Sequence, residues 1–320
     1  MRALRPVLQN AEGAWVGWPG IPDFDPPPFV HDGIYQKPVP LSEEEVNSFY
    51  YGFCNGTLWP LYHDAVVAPE FHRHTWKPYI EVNQRYADET AKVVNAGDIA
   101  WVQDYQLQLV PAMLRQKVPD LTIGFYLHIP FPPIEVFARL PWRRQIIEGL
   151  LGADVIAFQT RQSADNFARA ARRIAGAEAI GRRDLRWHGR PVHLQPAPIA
   201  IDTAEFEQMA TSDEVQQRAA EIRSELGNPD HLILGMDRLD YTKGIDKTDF
   251  IEEFIHPGAL FRQEAGVLLI TAPVPDVDFL VRDVPVTADD ELAVLAPQLL
   301  QIGHEAVHEI EFYGLAFFAG

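Results

Sequence analysis

Residues 99–128 read IAWVQDYQLQLVPAMLRQKVPDLTIGFYLH, and the fold is decided there. Ile99–Val102 and Leu121–Leu127 are short apolar runs, the pattern of strands covered on both faces. A polar residue stands just past each: Asp104 follows Trp101-Val102-Gln103, and His128 closes Phe125-Tyr126-Leu127. Working outward, Val155–Phe158, Val192–Gln195, Leu232–Met236 and Val267–Thr271 repeat the type, with helical patterns between them. This alternation predicts an α/β chain built on parallel sheets. Ligands of such sheets bind just past the carboxyl ends of the strands. Asp104, His128 and the Asp237-Arg238 pair after Leu234-Gly235-Met236 are therefore candidate site residues. Each alone has a plainer reading, since a strand-end Asp often caps a helix and a lone His often belongs to the core. Three together are less easily dismissed.

Helix starts are marked in the sequence. Ser42 followed by Glu45 is a capping box that opens a segment with Val46, Phe49, Tyr50 and Phe53 on one face. Ser163 is placed to cap a helix bearing Ala164, Phe167, Ala168, Ala171 and Ile174, and Thr211 with Glu214 repeats the capping box before Val215. Gly227-Asn228-Pro229 stops that last helix. A length of 320 residues favours two domains, and the pattern divides the chain into 1–215 and 216–320, with the boundary between Ile201 and His231. Trp15–Leu41, rich in Pro and Gly, is expected to be mostly irregular.

The chain is 47% hydrophobic and 22% charged, which argues against extended disorder. Its net charge of −18 excludes a general nucleic-acid binder or a protein of anionic membrane surfaces. The charge is uneven. Thr248–Gly320 holds thirteen acidic residues against Arg262 and Arg282, whereas Arg139–Arg190 holds eleven Arg against five acids. One cysteine, Cys54, allows neither an intrachain disulfide nor a cysteine-cluster metal site. With no apolar stretch of signal-peptide or membrane-span length, the expectation is a soluble cytoplasmic protein.

Two further stretches suggest chemistry. Asp237-Arg238-Leu239-Asp240-Tyr241-Thr242-Lys243-Gly244 sets two cations five residues apart on a loop ending in glycine. They suit the charge of a departing diphosphate; on spacing alone a surface ion-pair loop fits equally well. Tyr50, Asn55, Trp59 and His63 interleave aromatic and polar groups, as a sugar-binding wall does, though an aromatic core patch has the same composition. His304-Glu305-Ala306-Val307-His308 matches a zinc-hydrolase signature, but no third His follows. It reads as an acidic helix face.

Taken together, Trp15–Gly20, Asn55–His63, Trp101–Arg115, Gly124–Pro133, Leu150–Thr160 and Asp237–Gly244 resemble the trehalose-6-phosphate synthases, retaining glycosyltransferases of GT-B fold. The resemblance covers residues 1–247, about three quarters of the chain, and shares its motifs with glucosylglycerol-phosphate synthases. It implies two Rossmann-type parallel-sheet domains, the second incomplete here. It also implies transfer of glucose from UDP-glucose to glucose 6-phosphate with retention, without cofactor or metal, in a protein that is a candidate homo-oligomer. By motif, Tyr50 and Asp104 would bind glucose 6-phosphate, and Trp59 and Ile129 would select the α product. His128 would contact the transferred glucosyl unit, and Arg238 and Lys243 would hold the donor diphosphate.

Departures from the pattern accompany the match. The family's first strand and its glycine-bearing phosphate loop have no counterpart before Trp15, and Asp276 stands where an Arg for the acceptor phosphate is expected. The Asp-Gly-Met-Asn loop and Lys-Glu pair that grip the nucleotide sugar do not occur. These losses set a non-catalytic remnant of the family beside the enzyme as the competing expectation.

Overall fold

In the computed structural model, the runs at residues 99–128 become adjacent strands, as their sequence predicts. The structure describes residues 8, 13–64, 67–95, 97–225, 228, 231–236, 267–272 and 314–318. The chain divides into two compact units, Met1–Ile199 with His308–Gly320, and Ala200–Val307.

Among the described residues, the first unit is built on a ten-stranded sheet of order β2-β3-β1-β12-β4-β5-β6-β9-β8-β7. Its parallel heart is β4 (Ile99–Gln103), β5 (Thr122–Leu127), β6 (Val155–Phe158) and β9 (Arg190–Pro196). Four of the six expected strands stand here. The alternating burial of Leu194 and Val192 against exposed His193 and Gln195 shows why β9 tolerates polar residues. β8 (Asp184–Trp187) and β7 (Glu178–Ala179) extend this side antiparallel. On the other side β1 (Ala14–Gly17) pairs parallel with β3 (Ile34–Pro38), which pairs antiparallel with β2 (Phe29–His31). β12 (Gly314–Phe318) runs antiparallel between β1 and β4.

Residues 15–41 are mostly irregular, as expected, but β1, β2 and β3 take eleven of the 27 residues into the sheet. Asp32 (φ 52°) and Gly33 (φ 78°) both adopt left-handed backbone, forming the two-residue turn whose twist matches a hairpin. Ile34, Gln36 and Pro38 then face inward while Tyr35 points out.

The Ser42 capping box forms as expected: Glu45 N–H donates to Ser42 Oγ at 3.1 Å, and Ser42 N–H donates to Glu45 Oε2 at 3.0 Å. The helix it opens becomes a π-helix over Val46–Leu58, burying Val46, Phe49, Phe53, Cys54 and Leu58. Two other caps differ from expectation. Thr160, not Ser163, caps the helix Arg161–Ala170, accepting from Ser163 N–H at 3.1 Å. The Ser163 hydroxyl is thereby left to accept from Phe131 N–H at 3.2 Å. Thr211 does not cap the helix Asp213–Glu225; its hydroxyl donates back to Glu207 O at 2.8 Å and serves the end of the helix Thr203–Ala210. Asn228 (φ 52°), whose N–H bonds to Arg223 O at 2.8 Å, stands at the expected stop.

An ionic clamp fixes the strand starts opposite the candidate site. Asp154 accepts from Arg115 Nη2 at 2.6 Å, Arg190 Nη2 at 2.5 Å and Ile123 N–H at 2.8 Å. In the second unit, β10 (His231–Met236) and β11 (Val267–Ala272) form at the expected places but pair antiparallel, not parallel. Six residues match six without offset, so every ladder position is used. No helix among the described residues is long and apolar enough to cross a membrane.

Candidate active site

β4 and β5 are parallel neighbours, so their carboxyl ends bring Asp104 and His128 together. Asp104 N–H donates to Tyr126 O at 2.8 Å, which closes the end of the ladder. The chain then turns sharply, with Asp104 at φ 67° and ψ 175°. That backbone region is nearly exclusive to glycine and costs a residue with a side chain about 1–3 kcal/mol. The turn aims the carboxylate back across the strand ends, where Oδ1 accepts from Tyr105 N–H at 2.9 Å and His128 N–H at 3.1 Å. Burial pushes the Asp104 carboxyl above its ordinary value, while His128, the two N–H groups and His63 act in the opposite direction.

His128 is exposed at the strand end. Its Nε2 lies 2.9 Å from Gln103 Oε1, and its ring packs 4.6 Å from that of Tyr126. Burial, reinforced by the Asp104 charge, pushes the Tyr126 phenol up to about 12. It therefore stays protonated and donates to Ala197 O at 2.6 Å. Ile129, the next residue after His128, is buried. The loop beyond it is clamped by the helix Arg161–Ala170, through Ser163 Oγ at Phe131 N–H and Asn166 Nδ2 at Phe131 O, 3.0 Å away.

Tyr105 joins this pair to the aromatic stretch. Its hydroxyl donates to Asn55 Oδ1 at 2.9 Å, and its ring lies 5.6 Å from Trp59. Trp59 in turn packs 4.2 Å from His63, whose Nδ1–H donates to Trp59 O at 2.8 Å. Asn55, Trp59, His63, Asp104, Tyr105, Tyr126 and His128 thus form one connected group of aromatic and polar side chains. Tyr50 is half-buried on the π-helix, its ring edge-on to Tyr51 at 5.1 Å. Arg238, Lys243, Asp276, His304 and His308 lie outside the described residues.

Behind Asp104 lies a buried polar network that sequence reading does not find. Tyr79 donates to Tyr105 O at 2.7 Å, and Asn83 Nδ2 donates to Gln106 O at 2.9 Å while its Oδ1 accepts from Leu109 N–H at 3.0 Å. Gln108 Nε2 donates to Tyr105 O at 3.0 Å, and Tyr62 donates to Gln108 Oε1 at 2.6 Å. Burial pushes the Tyr62 and Tyr79 phenols up, so both remain donors. The network satisfies the backbone of the loop that follows Asp104, and so holds the strained turn in place. Its one sequence signal is Tyr79 and Asn83 at i, i+4 among the buried positions of the helix Arg73–Ala91.

The profile of glycosyltransferase family 20 matches residues 1–275. The chain belongs to glycosyltransferase family 20. It is 45% identical over 317 residues to the trehalose-6-phosphate synthase of Mycobacterium sp. (strain JLS), covering 96% of this chain and 65% of that protein. It is 44% identical to the trehalose-6-phosphate synthase of Mycolicibacterium smegmatis, covering 96% and 63% respectively. The chain therefore spans about two thirds of the length of these curated relatives. Its fold is similar to the trehalose-6-phosphate synthase of E. coli solved with UDP-2-fluoroglucose, with TM-score 0.70 and 28% identity over 78% of this chain and 56% of that one. The UDP-forming α,α-trehalose-phosphate synthase of Burkholderia xenovorans gives TM-score 0.68 and 26% identity over 79% and 57%. The α/β architecture is thus of GT-B type, as the motifs of this family 20 chain imply.

Proposed function

We propose that the chain is a retaining glucosyltransferase that moves glucose from UDP-glucose to glucose 6-phosphate, giving trehalose 6-phosphate. The observation that carries the reading is the strained Asp104 turn, bonded to His128 at the end of the adjacent strand. Structural economy alone would place glycine or a relaxed turn there; strain of this kind persists where a side chain must be aimed.

On this reading Asp104 accepts hydroxyl hydrogens of the acceptor sugar, and Tyr50 binds the same substrate. His128 contacts the glucosyl unit, while Trp59 and Ile129 shape the space so that the α product fits. Arg238 and Lys243 neutralise the diphosphate as the C1–oxygen bond to UDP breaks. The acceptor hydroxyl oxygen bonds to C1 on the face the diphosphate leaves, and its proton passes to a phosphate oxygen of UDP. The carboxylate then serves to orient and not to abstract. The proposal places this activity in the cytoplasm, where a lone buried thiol such as Cys54 needs no partner.

The purified chain is expected to release UDP only when UDP-glucose and glucose 6-phosphate are both present. Arg238→Ala and Lys243→Ala should each lower that release by at least about 10²-fold, as loss of a charge that stabilises a leaving group does. Folded protein that neither releases UDP nor binds it by calorimetry would instead identify a non-catalytic family member.

A further inference from the structure

Gln103 is the last residue of β4, and at 5% exposure it is one of the few buried polar side chains of the first unit. Its Oε1 faces His128 Nε2 at 2.9 Å. Its amide nitrogen is buried without a hydrogen-bond partner among the described residues. An apolar side chain of the same length would fill this space and leave no amide unsatisfied. Among the described residues the one hydrogen-bond partner of the carboxamide is the imidazole.

A neutral imidazole carries one N–H, and the partner of one ring nitrogen decides where that hydrogen sits. Among the described residues, three contacts hold His128. Its backbone N–H is fixed on Asp104 Oδ1, and the plane of its ring is limited by Tyr126. Of the three, Gln103 alone distinguishes the two ring nitrogens. A carbonyl oxygen opposite Nε2 makes Nε2 the donor and leaves Nδ1 with its lone pair. Glutamine offers that oxygen without a charge of its own.

The geometry points to Gln103 as a positioning residue that selects the Nε2–H tautomer of His128 and leaves Nδ1 as an acceptor for a hydroxyl of the transferred sugar. The second half of this statement rests on the glucosyl-transfer reading. The first half is a property of the protein alone.

The test is a long-range nitrogen–proton NMR spectrum of protein labelled with nitrogen-15 at histidine, with His128 assigned by the signals lost in His128→Asn. The expected wild-type pattern is Nε2–H. In Gln103→Met, which is nearly isosteric and apolar, the two tautomers should mix. In Gln103→Glu, which keeps an acceptor at the same distance, Nε2 should again be protonated. In the UDP-release assay, Gln103→Met should lower kcat by about 10–100-fold, the scale of a slightly misplaced contact group, with the KM for glucose 6-phosphate changed less than about threefold. An Nδ1–H tautomer in the wild type, as the reversed amide would require, overturns the inference. So does an unmoved tautomer in Gln103→Met. Neither spectrum needs turnover: an inactive wild type with the expected tautomer rejects the transfer reading and leaves the Gln103 assignment standing.

Discussion

Asp104→Asn is expected to reduce UDP release by about 10²-fold or more in kcat/KM while raising the stability of the fold at neutral pH. The substitution changes charge with little change in shape. The strained backbone is borne by asparagine as by aspartate, since both carry the same Cβ, and its side-chain oxygen still accepts from Tyr105 and His128 N–H. It loses the negative charge and one acceptor, and with them the stronger charge-assisted hydrogen bonds to sugar hydroxyls. The stability gain follows from burial. The folded state raises the Asp104 carboxyl above its ordinary value of 3.8, so it favours the neutral acid. Below that ordinary value the group is neutral folded or unfolded, and the fold bears no penalty. As pH rises through the raised folded value, the buried group must ionise and stability is lost. Thermal melts should therefore show the Asn variant melting higher at pH 7, with the difference shrinking as pH falls toward 3.8. A lower melting temperature at pH 7, or an undiminished rate, would contradict the role given to this carboxylate.

Gly152→Ala should destabilise the first unit by about 3 kcal/mol or more, the largest effect expected of an added methyl at a glycine among the described residues. A Cβ at Gly152 would lie 2.3 Å from both Cα and N of Ala112 and 2.5 Å from the carbonyl carbon of Pro111. All three are backbone atoms, so no rotamer change relieves the contact. The helix Val110–Lys117 must shift as a body, and it is anchored by Arg115 to Gly152 O, Leu121 O and Asp154. It also follows directly on the Tyr105–Leu109 loop that positions Asp104. The variant is thus expected to lose activity along with stability. At about 2–4 °C per kcal/mol, the melting temperature should fall by about 6–12 °C. Gly56→Ala is the control, since its Cβ would meet only Tyr51 O at an ordinary 3.4 Å. That variant should melt within about 2 °C of the wild type, and equal losses in the two would refute the packing argument.

β4, β5 and β6 are legible because most of their residues are buried, whereas β9 alternates. Ile123, Phe125, Leu127, Ile156 and Phe158 leave no residue pattern but an apolar run, and a run that short is a strand. The polar residues just past these strands could be placed for the same reason. Elements that depend on one turn were harder. The hairpin at Asp32-Gly33 was hidden by surrounding prolines, and β8 by its exposed Arg186 and the turn at His188 (φ 48°) and Gly189 (φ 80°). β12 has only five residues, and its place between β1 and β4 is a pairing across most of the chain's length that no local pattern encodes. At the site, the sequence brings Asp104, His128 and Trp59 into view as separate motifs. Tyr105, which joins them through Asn55 of the same aromatic stretch as Trp59, and Tyr79 and Asn83, which brace the turn, act through contacts 23 to 50 residues apart. Ser163 shows the same limit in reverse: its sequence context suggests a cap, yet its hydroxyl serves Phe131.

The most direct test of the central claim is the carbon-13 NMR spectrum of the product made by the purified chain from glucose 6-phosphate and UDP-glucose labelled at C1. The account predicts an α,α-linked disaccharide phosphate in which the labelled carbon keeps the donor's α configuration, with one UDP released per linkage formed. A β-linked product, labelled free glucose in place of a disaccharide, or no conversion by folded protein would contradict it.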